Sequence, residues 1–204
     1  MAWSSLTQTD FLTLDANYEF FVASSDAVVV TTTPGYTYTF AFNVDSAGTT
    51  DDVEIQILVG SRKSTGNGLD GATSASDVEI DTAAESFSTD DELNGLFLVM
   101  TSGDERGEGR LITDSVAADD GVNLSHALSG TPSAGETYDL YRFSELTTLV
   151  IDASTTASDD VPRNTGVSVH SSMGQYIAIR ARATGATDAH RIQAAYQDDG
   201  GIGV

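Results

Sequence analysis

Three histidines are the side chains in this sequence best suited to acid–base or metal chemistry: His126, His170 and His190. No H-x-H or H-x-x-x-H spacing relates them, so a shared metal site would need the fold to bring distant residues together. Serine is abundant, but no G-x-S-x-G elbow holds one as a hydrolase nucleophile. Cysteine is absent, which excludes thiol chemistry and disulfides. We therefore predict no catalytic residue, no metal site and no bound cofactor.

Adjacent aspartates recur along the chain. They are Asp51-Asp52, Asp90-Asp91, Asp119-Asp120, Asp159-Asp160 and Asp198-Asp199. Carboxylate-rich loops can bind Ca²⁺ or Mg²⁺, but the D-x-D-x-D-G spacing of a calcium loop does not occur. Paired carboxylates also catalyse glycoside hydrolysis, yet in so acidic a chain such pairs do not discriminate. The main interpretation is solvated charge, with one structural Ca²⁺ or Mg²⁺ as the alternative.

A glycine-rich turn at 103–109, GDERGEG, has the appearance of a phosphate-binding loop. Its acidic side chains would repel phosphate, and no Lys-Ser or Lys-Thr follows. A connection between strands is the better interpretation.

Basic residues are concentrated near the end of the chain. Arg180 and Arg182 alternate with Ile and Ala and share a strand face with Tyr176, and Arg191 lies across a predicted hairpin. Ordinary ion pairing with neighbouring acids is one explanation. The functional interpretation is a contact patch for a neighbouring subunit, together with hydrophobic residues of an N-terminal arm. The predicted subunit-contact residues are Trp3, Phe11, Arg180, Arg182 and Arg191.

The net charge is the strongest feature of the composition. The 204 residues contain 31 Asp and Glu but 9 Lys and Arg, a net charge of −22, and Lys63 is the only lysine. This balance argues against nucleic acid or an anionic membrane as a partner. Self-repulsion would strain the fold in dilute buffer, but above about 1 M salt the screening length is only about 3 Å. We expect a high-salt origin, with an acidic marine protein as the alternative.

The elements that must carry these residues alternate with a period of two, which indicates strands. In 36–44 the residues Tyr36, Tyr38, Phe40, Phe42 and Val44 share one face, and 53–59 alternates in the same way. We predict that these two segments form a hairpin, and that 176–183 and 189–197 form another. Segments 61–76 and 152–164 are predicted to be polar loops. One short helical turn is allowed at 88–93, where Ser and Thr precede acids.

The central stretch, 95–142, contains four short apolar segments separated by turn residues. They lie near 96–100, 110–113, 122–124 and 138–140, and indicate an antiparallel meander. Three motifs punctuate it: Thr101-Ser102-Gly103, then G-R-L-I-T at 109–113, then P-S-A-G-E-T-Y-D-L at 132–140. Together they resemble a module found in structural proteins of tailed viruses.

The outer segments resemble a second pattern, that of small β-sandwich proteins that decorate the heads of such viruses. Its residues are the pair 36–44 and 53–60, a glycine-rich loop, and the late segment YIAIRARATGATDA at 176–189. The resemblance implies an all-β, antiparallel, jelly-roll-like β-sandwich with an inserted β-meander lobe. The expected organisation is an N-terminal arm at 1–16, the sandwich at 17–92 and 144–197, the lobe at 93–143 and a C-terminal tail at 198–204.

The function implied by both resemblances is structural. The chain is expected to decorate, cement or form turrets on the capsid of a tailed virus, with a haloarchaeon as the expected host. It would act as a homo-oligomer, a trimer or pentamer, bound to the major capsid protein or other virion proteins. Because no basic residue precedes an apolar run at the N-terminus, no signal peptide is expected, and assembly would occur in the host cytoplasm. A tail-tube or tail-tip component and a module that binds a host glycan or receptor are the alternatives.

Overall fold

The computed structural model describes residues 4–5, 12–21, 29–46, 50–80, 87–152, 163–188 and 190–199. These residues contain no α-helix, only β-strands and one 3-10 turn at Ser171–Met173, which confirms the predicted all-β class. The strands are β1 (Ser4–Ser5), β2 (Leu12–Thr13), β3 (Glu19–Phe20), β4 (Val29–Thr31), β5 (Thr37–Ser46), β6 (Val53–Ser74), β7 (Asp77–Ile80), β8 (Phe97–Met100), β9 (Gly109–Val116), β10 (Gly121–Leu124), β11 (Thr137–Ile151), β12 (Arg163–His170), β13 (Tyr176–Ala183) and β14 (His190–Asp199).

The chain divides into two compact units. The first comprises Met1–Gly60 and Ser144–Val204, and the second is Ser61–Phe143. Strands β6 and β11 each run from one unit into the other. The inserted unit therefore begins at residue 61, whereas the sequence placed its start at 93. The difference arises because β6 does not end at Gly60, and the segment that follows packs into the core of the second unit.

The first unit is an antiparallel sandwich. One sheet has the strand order β1-β14-β5-β12, with β2 also on β14, and the other contains β6, β13, β3 and β4. The inward faces of both sheets meet in one hydrophobic core, as period-two burial predicts. Phe40 and Ile55, one from each sheet, have no exposed surface, and burying such a side chain contributes about 1.5–3 kcal/mol.

Both predicted hairpins are wrong in their partners, although their strands are present. Strand β5 pairs with β14 and β12, whereas β6 pairs with β13 and β7. Consecutive strands thus cross from one sheet to the other at 46–53 and again at 183–190. Alternation identifies the buried face of a strand but not its neighbour. Two consecutive strands can bury their apolar faces whether they lie side by side in one sheet or face each other across the core.

Segments predicted as an arm and a tail contribute to the same sheet. Strand β1 pairs with Tyr196 and Ala195, and β2 pairs with Ile192 and Arg191. Strand β14 continues to Asp199, which lies opposite Thr37, so the last strand extends two residues into the predicted tail. The described parts of the arm are therefore held by the chain's own last strand.

In the second unit, the four predicted segments are strands β8 to β11, but their order is not that of a meander. Neighbours follow the order β11-β8-β9-β10, so the fourth strand returns beside the first, as in a Greek key. Strands β7 and β6 continue this order, and β11 also pairs with β6, which closes a ring of six strands. A separate core lies inside this unit, and Tyr138, Leu98, Leu140 and Val122 have no exposed surface there.

Two local predictions in and beside this unit are wrong. Residues 61–74, expected to be a loop, belong to β6, and from Leu69 to Ser74 they pair with β7 with two register shifts. Their glycine and serine content concealed a strand, because such residues fit a bulged strand without supplying an apolar stripe. The allowed helical turn at 88–93 is a series of turns, with Asp91 at a φ of 66°. Of the predicted loop 152–164, residues 163–164 open β12, and 153–162 lie outside the described residues.

Candidate functional site

The predicted subunit-contact residues occupy separate places. Trp3 and Phe11 lie outside the described residues. Arg180 and Arg182 lie on β13, while Arg191 lies on β14 in the opposite sheet, exposed and opposite Thr13 in the arm. Arg191 is therefore not across a hairpin from the other two arginines. A role of these residues in subunit contact stays a prediction.

Arg180 and Arg182 share one aromatic ring. Their guanidinium carbons lie 4.3 and 4.6 Å from the centre of the Tyr18 ring. Because β13 pairs with β6, Arg180 lies opposite Gln56 and Arg182 opposite Glu54. We call these five residues the arginine ladder. Each cation–π contact at a partly exposed site contributes about 0.5–1 kcal/mol.

At one end of the ladder, Glu54 accepts hydrogen bonds from both Tyr18 and Arg182. Its Oε2 atom accepts a hydrogen bond of 2.8 Å from the Tyr18 hydroxyl and one of 2.8 Å from Arg182 Nε. Burial and the bond to Glu54 raise the pKa of Tyr18 to about 12. Burial would raise the pKa of Glu54, but the bonds from Tyr18 and Arg182 outweigh it and lower that pKa. The bond to Glu54 raises the pKa of Arg182.

The other end of the ladder continues through amide and hydroxyl groups. Arg180 Nε donates to Gln56 Oε1 at 2.8 Å, and Gln56 Nε2 donates to Glu145 Oε2 at 3.0 Å. Thr148 Oγ1 donates to the second oxygen of Glu145 at 2.6 Å. Burial lowers the pKa of Arg180. The outer face of this sheet thus carries a connected polar network, which fixes both arginines in one geometry.

Asp51, which belongs to one of the adjacent pairs interpreted as solvated charge, and Asp188, from the turn at 184–188, have a structural task. Asp51 Oδ2 accepts hydrogen bonds from the backbone N–H groups of Thr187, at 2.6 Å, and Asp188, at 2.9 Å. In return, Asp188 Oδ2 accepts from the N–H groups of Thr50, at 2.5 Å, and Asp51, at 2.9 Å. We call this reciprocal pair the aspartate clamp. The backbone bonds from Asp51 and Thr50 lower the pKa of Asp188.

The clamp joins the two places where the chain crosses between sheets. Thr184 strengthens it, since its hydroxyl accepts from Asp52 N–H at 2.9 Å and its N–H donates to Asp52 O at 2.8 Å. A Cβ on Gly185 would collide with the Asp51 carboxylate, so the turn needs glycine there. The sequence contains both polar segments, Asp51-Asp52 and T-G-A-T-D at 184–188, but only the fold shows that they meet.

Each of the three histidines has its own local contacts. His126 contacts Ser125 in a turn, at 3.1 Å, and His170 Nδ1 accepts from the Ser172 N–H at 3.1 Å at the end of β12. His190 is buried at the start of β14, with Nε2 3.9 Å from Asp188 Oδ2. Within the described parts of the chain, no three His, Asp or Glu side chains converge where they could hold a metal ion.

In the second unit, Arg110 of the G-R-L-I-T motif is a buried structural cation. Its side chain is 4% exposed, and Nη2 lies 2.9 Å from Glu108 Oε2. It also donates to the carbonyls of Ala127, at 3.2 Å, and Gly109, at 3.0 Å. Glu108 accepts in turn from the N–H and hydroxyl of Ser129. The motif arginine therefore fastens the 125–130 connection to β9.

The two other motifs of this unit bond to each other. Thr101 Oγ1 lies 2.7 Å from Thr137 Oγ1, and the Ser102 hydroxyl accepts from Thr137 N–H at 2.6 Å. Gly103 has a φ of 82°, which favours glycine, and it lies against the Glu136 carboxylate. That carboxylate also accepts from Ser133 N–H at 3.1 Å. The "TSG" turn and the P-S-A-G-E-T segment are one interlocked connection.

An open cleft of about 510 Å³ lies at one end of the sandwich unit. Hydroxyl, amide and imidazole side chains line it together with one proline and two glycines, and the described lining residues are Thr32, Pro34, Gly35, His170, Ser171, Ser172, Gly174 and Gln175. Several of these groups already bond to each other, since Gly35 N–H donates to Ser171 Oγ at 2.9 Å and Thr32 Oγ1 donates to Gly174 O at 2.8 Å. Such a surface could accept a hydroxyl-rich ligand.

The described residues include no helix of the length and hydropathy that a membrane crossing requires. The chain matches no protein-family model, no curated protein and no solved structure.

Proposed function

We propose that this chain is a non-enzymatic structural protein of a virion, which decorates, cements or forms turrets on the head of a tailed virus. The observation that carries the proposal is the use made of the motif residues. Thr101, Ser102, Arg110 and Thr137 bond to neighbouring connections of the same unit, so the virion-like motifs act as scaffold. Their resemblance to virion modules then supports a structural role.

The mechanism is adhesion. Two all-β units with separate cores supply rigid surfaces, and polar networks such as the arginine ladder hold surface side chains in fixed positions. A protein that binds the assembled shell, and not its free subunits, stabilises the shell by mass action. The proposed partners are further copies of this chain, as a trimer or pentamer, and the major capsid protein or another virion protein.

The net charge of −22 supports a host that maintains high salt, and thus a haloarchaeal virus. Carboxylates at this density repel one another at low ionic strength, and about 1 M salt screens charges beyond about 3 Å. We expect the unfolding midpoint to rise steeply between about 0.1 and 1 M KCl. A matched variant that neutralises three exposed acids (Asp70→Asn, Asp104→Asn, Asp198→Asn) should show a smaller rise. An equal rise in both would count against charge screening.

Particle composition tests the virion assignment. The chain should co-purify with intact particles at a fixed stoichiometry, and particles lacking it should lose heads on heating or on a drop in salt. Fractionation of heads from tails separates the main proposal from its alternative, a tail-tube or tail-tip component. Absence of the chain from purified particles would reject both.

A second candidate function rests on the polar cleft beside the 3-10 turn. Its hydroxyl, amide and imidazole groups fit a neutral polar ligand such as a host glycan. Block of cell attachment by antibody to this protein, with particles otherwise intact, would favour this host-surface binding module. The substitution Ser172→Trp, at an exposed position of the cleft, should then abolish attachment without changing particle stability.

A further inference from the structure

The first strand of the chain is attached to the sandwich by a very short pairing. Strand β1 is two residues long, and its described residues pair with Tyr196 and Ala195 on the outer edge of β14. Two residues can make only a few hydrogen bonds to the edge, so this pairing by itself contributes little compared with that of a full strand.

The next part of the arm is held much more firmly. Strand β2 pairs with the same edge at Arg191 and Ile192, and Leu14 beyond it is 4% exposed within the core. Leu14 N–H donates to His190 O at 2.9 Å, and Asp15 O accepts from Ala183 N–H at 2.7 Å. Residues 12–15 are therefore a fixed point from which the beginning of the chain departs.

The connector between the two pairings is longer than the edge requires. On β14, only Gln193 and Ala194 separate the two paired sites. In the sequence, six residues (6–11) separate Ser5 from Leu12. Six residues can span up to about 20 Å when extended. A connector of that length can reach the same edge of a second copy that lies within this span.

We infer that β1 is an exchangeable strand and that the β14 edge at Ala195 and Tyr196 is its acceptor site, which takes β1 from a second copy of this chain in the assembly. The contacts already made within one chain can be made identically between two, as in strand exchange. The pairing seen within one chain therefore identifies the segment that would occupy this edge, which is β1 of a second copy. This inference rests on the proposed function, in which copies of the chain assemble.

The absence of cysteine from the sequence allows a direct test by disulfide trapping. The double variant Ser5→Cys/Ala195→Cys places two thiols on directly paired residues, within the distance that a disulfide spans. Its matched control is Thr13→Cys/Arg191→Cys, a registered pair at the fixed β2 site. Both full-length variants are oxidised in concentrated, high-salt solution and run on a non-reducing gel. Light scattering records the oligomeric state beforehand.

Strand exchange predicts that the control is cross-linked within single chains, whereas the Ser5/Ala195 variant forms covalent ladders between chains. An oligomer by light scattering whose Ser5/Ala195 disulfides all lie within chains would overturn the exchange and leave assembly intact. A monomer with disulfides only within chains would overturn the exchange and contradict the proposed self-assembly as well.

A mixing experiment excludes the case in which the double variant is misfolded. Chains carrying only Ser5→Cys are mixed with size-tagged chains carrying only Ala195→Cys, so every disulfide between unlike chains forms in trans. The collision background comes from Ser5→Cys mixed with Ser168→Cys, an exposed position on β12 at the far edge of the same sheet. Exchange should make the registered pair react about tenfold faster than the background, because pairing raises the effective concentration of the thiols. Equal rates would overturn it.

Discussion

Asp51 and Asp188 are joined by reciprocal hydrogen bonds from the backbone of each to the side chain of the other. The carboxylate of each accepts the N–H group of the other, at 2.9 Å in both directions, and each takes a second N–H from the residue just before its partner. Because these residues lie at the two crossings between the sheets, the pair fastens both crossings at one end of the sandwich. An acidic pair on a very acidic chain is here a structural element.

The clamp should give the sandwich an acid-sensitive contribution to stability. The folded pKa of Asp188 lies below its unfolded value of about 3.9. Its stabilisation is therefore complete above about pH 5 and is lost as the pH falls through the lowered folded pKa. We expect Asp188→Asn to be less stable than the parent at pH 7, with the difference shrinking toward pH 2, in denaturant titrations at constant high salt.

The control for this prediction is Asp198→Asn, an exposed acid on β14 of the same unit. It removes the same charge without touching the clamp, so its stability should follow the parent curve with a nearly constant offset. Parallel acid limbs for the parent and Asp188→Asn would refute the assigned role of Asp188.

The arginine ladder predicts a loss of stability at alkaline pH. The pKa of Tyr18 is raised to about 12, so its stabilisation is complete below pH 10 and is lost as the pH rises through about 12. Tyr18→Phe keeps the ring under both guanidinium groups but removes the bond to Glu54. We expect it to cost about 1 kcal/mol at pH 8 and to flatten the alkaline limb.

Tyr36→Phe is the matched control, since Tyr36 is also half-buried in the same unit but lies outside the ladder. Denaturation followed by circular dichroism between pH 8 and pH 12 compares the three proteins. If the two Phe variants behave alike, the hydrogen bond from Tyr18 to Glu54 does not carry the effect.

Arg110 should be the most sensitive charged residue of the second unit. Its replacement by Met would leave Glu108 without its cation at a site where Arg110 is 4% exposed, and such a loss costs about 3 kcal/mol. The double variant Arg110→Met/Glu108→Gln should recover part of that cost, since neither substituted side chain carries a charge. Thermal unfolding of the two single variants and the double variant measures the coupling. Additive effects would show that the ion pair contributes nothing.

The "TSG" turn can be tested with two glycines of nearly equal conformation. Gly103 and Gly95 have φ values of 82° and 81°, but only Gly103 lies against a carboxylate, that of Glu136. Each Ala substitution should cost about 1 kcal/mol for the left-handed backbone. Gly103→Ala should cost about 1 kcal/mol more, because displacing Glu136 breaks its bond to Ser133 N–H. Equal midpoints for the two variants would mean that the turn and Glu136 are independent.

Sequence periodicity was sufficient for the strands with an apolar face, and insufficient for their neighbours. The alternation in 36–44 and 176–183 correctly identifies β5 and β13 and their buried faces. Pairing was missed because two consecutive strands with apolar faces can lie side by side in one sheet or face each other from opposite sheets, and alternation is the same in both cases. Strand β6 beyond Gly60 was missed for a different reason, since its glycines and serines carry no apolar stripe.

The candidate site was predictable in its residue types and not in its contacts. The arginines of β13 stood out by their alternation, but the ring that they share belongs to Tyr18, more than 150 residues earlier in the chain. The partnership of Asp51 with Asp188 likewise joins residues that only the closing of the sandwich brings together. Short-range patterns carry no information on such contacts.

Electron microscopy of purified particles tests the central claim most directly. The account predicts density for both all-β units at symmetry-related positions on the outside of the capsid, with each copy touching another copy and a major capsid protein. Particles whose outer surface shows no such density, or on which the chain is found only as an unattached monomer in the surrounding solution, would contradict it.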